Sequence, residues 1–216
     1  MSHDLKAPLR GIEGYSRLLA SEFGSSLPQA AREYIDLIAV ASQRMDQMIA
    51  DVLAYSRAQM RDLKPVRTDV RKLVQQVVSE IDPQLLEGID LEQRVEKAAL
   101  ECDREGLIQI LRNFLSNAVK FSHHQVSPRI RIEGCRLAHG YRFAVNDNGV
   151  GFDMRYHDRI FEIFHRLPSA DGQGGTGIGL ALAARSAARL GGRVWADSTP
   201  GQGATFYFEL NSGTQT

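Results

Sequence analysis

The sequence predicts an α+β protein in two parts, an N-terminal helical hairpin over residues 1–62 and an α/β sandwich over residues 63–216. Three observations carry that prediction. A heptad-spaced apolar seam runs through the first part. Near Arg61 to Thr68 the pattern changes to capped helices mixed with period-two runs. Two glycine clusters, Asn146 to Gly151 and Gly174 to Leu180, then bracket a stretch that ends in a polar run from Ser169 to Gly174.

In the first helix Leu5, Leu9, Ile12, Leu19 and Phe23 recur at helical spacing, and Ser16 completes the seam. Pro8 removes a backbone donor and predicts a bend near the preceding turn, where the carbonyl it orphans lies beside His3 and Asp4. Gly24 to Pro28 breaks the pattern as a tight connection. A second run places Tyr34, Ile38, Ala41, Met45, Met48, Val52 and Tyr55 at alternating steps of four and three. Two helices cannot surround such a seam, so a four-helix bundle made by two chains, a homodimer, is the expected completion. The alternative is an intramolecular hairpin packed on the C-terminal part.

Arg61 to Thr68 reads as a linker entering a short strand, and Asp69 to Ile81 as a capped helix. Gly88 to Cys102 alternates weakly and predicts paired strands. Asp103 caps a helix from Arg104 to Phe121 whose apolar face is Leu107, Ile110, Leu111, Phe114, Leu115 and Ala118. On its other side Asn113, Asn117 and Lys120 stand at i, i+4 and i+7, one stripe. Pro128 to Cys135 and Tyr141 to Asp147 read as a strand pair, Gly177 to Leu190 as a helix stopped by Gly191-Gly192, and Arg193 to Ser198 with Ala204 to Leu210 as a closing hairpin. His123 and His124 read as a solvated loop, and Asn211 to Thr216 as a polar tail.

Charge excludes one class of partner: 26 basic residues balance 26 acidic ones, so no global field recruits nucleic acid or an anionic membrane. Cys102 and Cys135 lack metal or disulfide spacing and suit a reducing cytosol. No apolar run approaches the ~18 residues of a membrane span. The glycine clusters carry the chemistry. Glycine lets backbone amides approach phosphates, and a helix opening at the second cluster aims its N-terminal amides at an anion. Asp147, at a strand end, is placed to accept from an exocyclic amine such as that of adenine. Asparagine amide oxygens suit Mg²⁺ and lysine suits phosphate. Read singly, these features are two glycine-rich turns and a solvated polar face; together they read as one nucleotide site.

The motifs resemble, in order and over nearly the whole chain, the catalytic core of a sensor histidine kinase. Ser2 to Arg10 resembles the H box, Asn113 to Phe121 the N box, Asp147 to Gly151 the first glycine box, Ile160 to Arg166 the F box, Gly175 to Leu180 the second glycine box, and Pro200 to Phe206 the closing motif. The wording of Asp4, Pro8-Leu9-Arg10, Pro128-Arg129-Ile130 and Arg166-Leu167-Pro168 is most similar to phytochrome-type kinases. The resemblance implies a dimerisation and phosphotransfer hairpin followed by a Bergerat-type ATP-binding domain.

It also implies the roles. His3 is the phosphoacceptor, with Asp4 orienting its ring, and Asp147 reads adenine. Asn117 holds Mg²⁺ with Asn113 beside it, while Lys120 and Arg166 contact phosphates. Phe161 and Phe164 anchor a lid from about Phe152 to Gly174. Gly175, Gly177 and Gly179 line the triphosphate, and Phe121, Gly149, Gly151, Thr176, Ile178 and Leu180 belong to the same site. Thr205 lies near the adenine end. The implied partner is the receiver domain of a response regulator. An upstream sensor domain outside this chain is expected, with this part cytoplasmic and the full-length protein able to be membrane-tethered. One departure stands out. Ala7 occupies the position where many relatives carry Thr or Asn, which implies weak phosphatase activity. The rival reading is a catalytically weak dimerisation and docking module that binds ATP.

Overall fold

The structure is a computed structural model that describes residues 2–60, 62–167 and 175–211, the side chains of 2–6 and 58–60 excepted. The polar run from Ser169 to Gly174 and the tail beyond Asn211 lie outside the described residues.

Helices α1 (Ser2–Phe23) and α2 (Gln29–Met60) form the hairpin, and α1 continues through Pro8 as one helix. The turn between them is closed by Gly24 N–H to the Ala20 carbonyl at 3.1 Å and Leu27 N–H to Phe23 at 3.0 Å. Across the hairpin the buried Ser42 hydroxyl donates to the Leu9 carbonyl at 2.9 Å. Little of the seam is covered by this single pair of helices. Ile12, Leu19, Phe23, Tyr34, Ile38, Met45 and Val52 remain exposed.

The second part is a five-stranded sheet in the order β2 (Asp90–Val95), β4 (Arg129–Leu137), β5 (Gly140–Asp147), β7 (Gly203–Asn211), β6 (Gly192–Thr199). The β2–β4 pair is parallel and the other pairs antiparallel. Against the sheet pack α3 (Val70–Ser79), α5 (Arg104–Ser122) and α6 (Gly179–Arg189). A short helix, α4 (Pro83–Leu86), precedes β2, while β1 (Pro65–Asp69) pairs antiparallel with β3 (Ala99–Asp103) in a separate ribbon.

Local chemistry accounts for the elements. The Asp69 carboxylate accepts from Arg71 and Lys72 N–H and starts α3, and Asp103 accepts from Glu105 N–H and starts α5. Period-two alternation turns Tyr141, Phe143, Val145 and Asp147 of β5 to the helix side, opposite Ala204, Phe206, Phe208 and Leu210 of β7. Phe114 of α5 meets Phe206 at 5.5 Å between ring centroids, inside one continuous core.

Two expectations change. Gly88 to Cys102 does hold two strands, but they do not pair with each other: β2 joins β4 and β3 joins β1. Weak alternation marks a strand and carries no information about its partner. Helix α6 begins at Gly179 rather than Gly177, because Gly177 takes a positive φ of 71° that a helix cannot contain. The hairpin also packs on the C-terminal part. Arg185 of α6 donates to the Tyr55 hydroxyl at 2.8 Å, and its guanidinium lies 4.5 Å from the Tyr55 ring centroid. Among the described residues no helix is long and apolar enough to cross a membrane.

Candidate functional site

A cavity of about 400 Å³ opens between α5, the first glycine cluster, the second glycine cluster and the closing turn. Of the residues singled out from sequence, Asn113, Asn117, Lys120, Phe121, Asp147, Gly151, Arg166, Gly175, Thr176, Gly177, Gly179 and Leu180 line it. Segments far apart in the chain thus converge on one space.

Its floor is Asp147, which alternation along β5 turns inward and leaves 3% exposed. The carboxylate accepts from Gly149 N–H at 2.9 Å, and burial still pushes its pKa up to about 6 against the opposing pull of the Gly149 and Ala204 N–H groups. Gly149 does not line the space; it permits it. A Cβ there would sit 2.4 Å from the Phe121 carbonyl oxygen, so α5 and the glycine cluster touch backbone to backbone. Gly151, at φ 60°, lies equally tightly against Thr199. The closing turn clamps this cluster through Gly201 N–H to the Val150 carbonyl at 2.7 Å. Phe152, Ile160 and Phe206 make this end apolar.

The other end is cationic. Burial first, then Arg166 and Arg44, lower the Lys120 pKa to about 8. A Cβ on Gly175 would sit 2.8 Å from the Lys120 amine, so the lysine lies along the glycine backbone. Asn113 spends its amide N–H₂ on the Gln109 carbonyl at 2.8 Å, and its Oδ1 faces Gly179 at the start of α6. A lysine, an arginine and a helix N-terminus together form an anion-binding end, and the amide oxygens beside them suit a cation rather than the anion.

Not every predicted residue arrives. Thr205 is corrected: its neighbours Ala204 and Phe206 face the cavity, so strand alternation turns Thr205 to the far face, where its hydroxyl accepts from Asn146 at 2.7 Å. Ile178 is fully buried beneath the site as part of the core, not in contact with the space. Phe161 packs half-buried against the core, whereas Phe164 is exposed at φ 64° and its N–H donates to the Gly177 carbonyl at 2.9 Å. The two phenylalanines therefore differ: one anchors, and the other is held by its backbone. His3 and Asp4 lie in the first turn of α1, but their side chains are outside the described residues.

Several lining residues were missed, Gln47, Asp51 and His165 among them. Gln47 and Asp51 enter from α2, and the Thr176 hydroxyl donates to the Asp51 carboxylate. Nothing in a heptad pattern marks polar positions that face another domain. His165 also lines the cavity, and its buried Nδ1 has no hydrogen-bond partner among the described residues. The sequence signal was present there, since His165 sits inside the F-box stretch.

Comparison with known proteins bears on this geometry. Residues 102–214 match the family described as histidine kinase-, DNA gyrase B-, and HSP90-like ATPase. Residues 1–61 match the His kinase A (phospho-acceptor) domain. The chain is 34% identical to the phytochrome-like protein Cph1 of Synechocystis sp., over 98% of its own length and 28% of that protein's. It is 32% identical to the sensor histidine kinase AruS of Pseudomonas aeruginosa, over 97% of this chain and 22% of AruS. The chain thus spans about a quarter of the length of these curated relatives. Among solved structures, full-length ShkA in complex with AMPPNP aligns with a TM-score of 0.71 and 31% identity, covering 97% of this chain and 44% of that one. The histidine kinase ThkA, solved with the response regulator protein TrrA, aligns at 0.69 with 20% identity, covering 98% and 59%, a likeness of fold.

Proposed function

The chain belongs to the histidine kinase-, DNA gyrase B-, and HSP90-like ATPase family, with a phospho-acceptor domain ahead of the ATPase, and from that premise we propose the roles of its parts. Residues 1–62 are the dimerisation and phosphotransfer hairpin and residues 63–216 the ATP-binding domain. ATP is the phosphoryl donor, His3 the acceptor, and an aspartate of a response-regulator receiver domain the next acceptor. The observation that carries this reading is the cavity itself, with a buried carboxylate at an apolar end and two cations with a helix N-terminus at the other.

Asp147 accepts from the adenine amine, and Lys120, Arg166 and the amides of Gly175 to Gly179 take the phosphates. Asn117, with Asn113 beside it, would hold Mg²⁺, which would supply charge neutralisation for the phosphates. Among the described residues no cluster of His, Cys, Asp or Glu gathers to hold a metal alone. The neutral His3 imidazole attacks the γ-phosphorus with Nε2 as the bond to ADP breaks, and Asp4 accepts from Nδ1. Helix register supports the placement. Ser42 lies against Leu9, so Asp51, about two and a half turns further along α2, comes level with the N-terminal end of α1. The cavity that Asp51 borders therefore opens beside the end of the hairpin that carries His3. The exposed seam from Ile12 to Val52 supports a homodimer, which buries it in a four-helix bundle.

Incubation with γ-labelled ATP and Mg²⁺ tests the reading. Wild type is expected to take up an acid-labile, alkali-stable label that His3→Gln does not. Nucleotide binding without label in a chain lengthened at its N-terminus would instead support an ATP-binding docking module.

A further inference from the structure

Every wall of the cavity belongs to the C-terminal part except one. Gln47 and Asp51 come from the hairpin, and with Tyr55 they form a stripe at i, i+4 and i+8 of α2 that faces α6 and the second glycine cluster. Asp51 is half-buried, and its Oδ2 accepts from the Thr176 hydroxyl. The same hydroxyl oxygen accepts from Ile178 N–H at 3.4 Å, and Thr176 is only 8% exposed. A continuous chain thus runs from a carboxylate through a hydroxyl to the amides that open α6. Those amides, with Gly175 and the Lys120 amine beside it, form the anion-binding end of the cavity.

We propose that Asp51 is a built-in competitor for nucleotide phosphate: the hairpin lays this carboxylate against the second glycine cluster, and it must withdraw before a polyphosphate takes that end of the cavity. The inference rests on the reading of the cavity as an ATP site and adds the regulation of that site. A carboxylate and a phosphate want the same donors and repel one another in a partly desolvated space. The contact with Thr176 also engages the glycine segment whose amides a phosphate needs. One turn along α2, Tyr55 holds Arg185 by a hydrogen bond and a cation–π contact, so the two tethers lock hairpin to ATPase together. Phosphate at the glycine cluster breaks the first tether and leaves the second to hold alone. Nucleotide occupancy thereby frees the ATP-binding part to move against the helix that carries His3.

The competition has a signature that a merely structural contact lacks, namely dependence on ligand charge. Calorimetric titration of the 216-residue chain with ATP, ADP and adenosine reads it directly. Asp51→Asn and Asp51→Ala are expected to tighten ATP binding about three- to tenfold, ADP less, and adenosine by less than about twofold, the factor for ATP being the reciprocal of the share of molecules in which the latch is open. Tyr55→Ala lies outside the cavity and is expected to tighten ATP by about twofold, through the weakened docking alone. Unchanged or weaker ATP binding in both Asp51 variants, or equal tightening for adenosine, would overturn the latch while leaving the ATP site intact. A wild-type chain that binds neither ATP nor adenosine would remove the ATP reading, and the latch with it.

Discussion

Asp147 shows how one residue can oppose the fold it serves. Burial pushes its carboxyl up to about 6, from the ordinary value of 3.8. An acid whose folded pKa is raised favours folding only while protonated. Its contribution is fully present below about pH 4 and is lost as pH rises through about 6. At neutral pH the nucleotide-free protein therefore holds a buried carboxylate at a cost of about 3 kcal/mol. Asp147→Asn is expected to raise the melting temperature by a few degrees near pH 8, with the gain vanishing near pH 4, and to weaken ATP binding at least about tenfold. A melting temperature that falls at both pH values would contradict the assignment. At this scale much was legible. Asn113, Asn117 and Lys120 were marked by helical spacing, and α5 does present all three to the cavity. Thr205 was misjudged because proximity along a strand is not proximity in space: its neighbours face inward and it does not. Asp51 and Gln47 carried no mark at all, since a polar residue on a heptad helix looks the same facing water or facing another domain.

Among the elements, the closing hairpin is the most constrained. A Cβ on Gly203 would sit 1.9 Å from the Asp147 carbonyl oxygen and 2.7 Å from the Asn148 Cα, and its φ is 90°. Backbone meets backbone there, so no rotamer relieves the clash. Gly203→Ala is expected to lower stability by several kcal/mol, on the order of a lost core packing element, and to abolish nucleotide binding as the end of β5 shifts. Gly88 provides the contrast, with φ 78° and nothing within 4 Å of its added Cβ. Gly88→Ala should cost about 1 kcal/mol in chemical denaturation and leave binding unchanged. Helix α3 and helix α5 were readable because a cap and an apolar stripe are both local: Asp69 and Asp103 bond within three residues of themselves. The pairing of β2 with β4 and of β3 with β1 was not, because each joins residues thirty or more positions apart.

Across the whole molecule, two surfaces of the hairpin do different work. One stripe of α2 docks on the ATPase through Asp51 and Tyr55, while the seam through Ile12, Leu19, Phe23, Ile38 and Met45 stays exposed. Such a contiguous apolar face marks an association surface. Placing a charge there, as in Leu19→Glu with Ile38→Glu, is expected to convert a dimer into a folded monomer in sedimentation velocity, with ATP binding retained because neither position borders the cavity. A monomeric wild type would rule out the bundle. The two expectations for the hairpin, a dimer seam and a helix pair packed on the C-terminal part, are compatible. They concern different faces of the same helices except at Tyr55, a seam position that the structure places against Arg185 of α6 instead.

The sequence by itself determined the heptad seam, the helix caps, the strand alternation that turns Asp147 inward, and the positions where glycine alone fits. All of these follow from periodicity and from backbone sterics over a few residues. Only the tertiary structure decided which strands pair, which face Thr205 shows, and that a carboxylate from the hairpin reaches the second glycine cluster. Those outcomes depend on contacts between distant segments, selected by how whole surfaces fit, and spacing along the chain does not encode that fit.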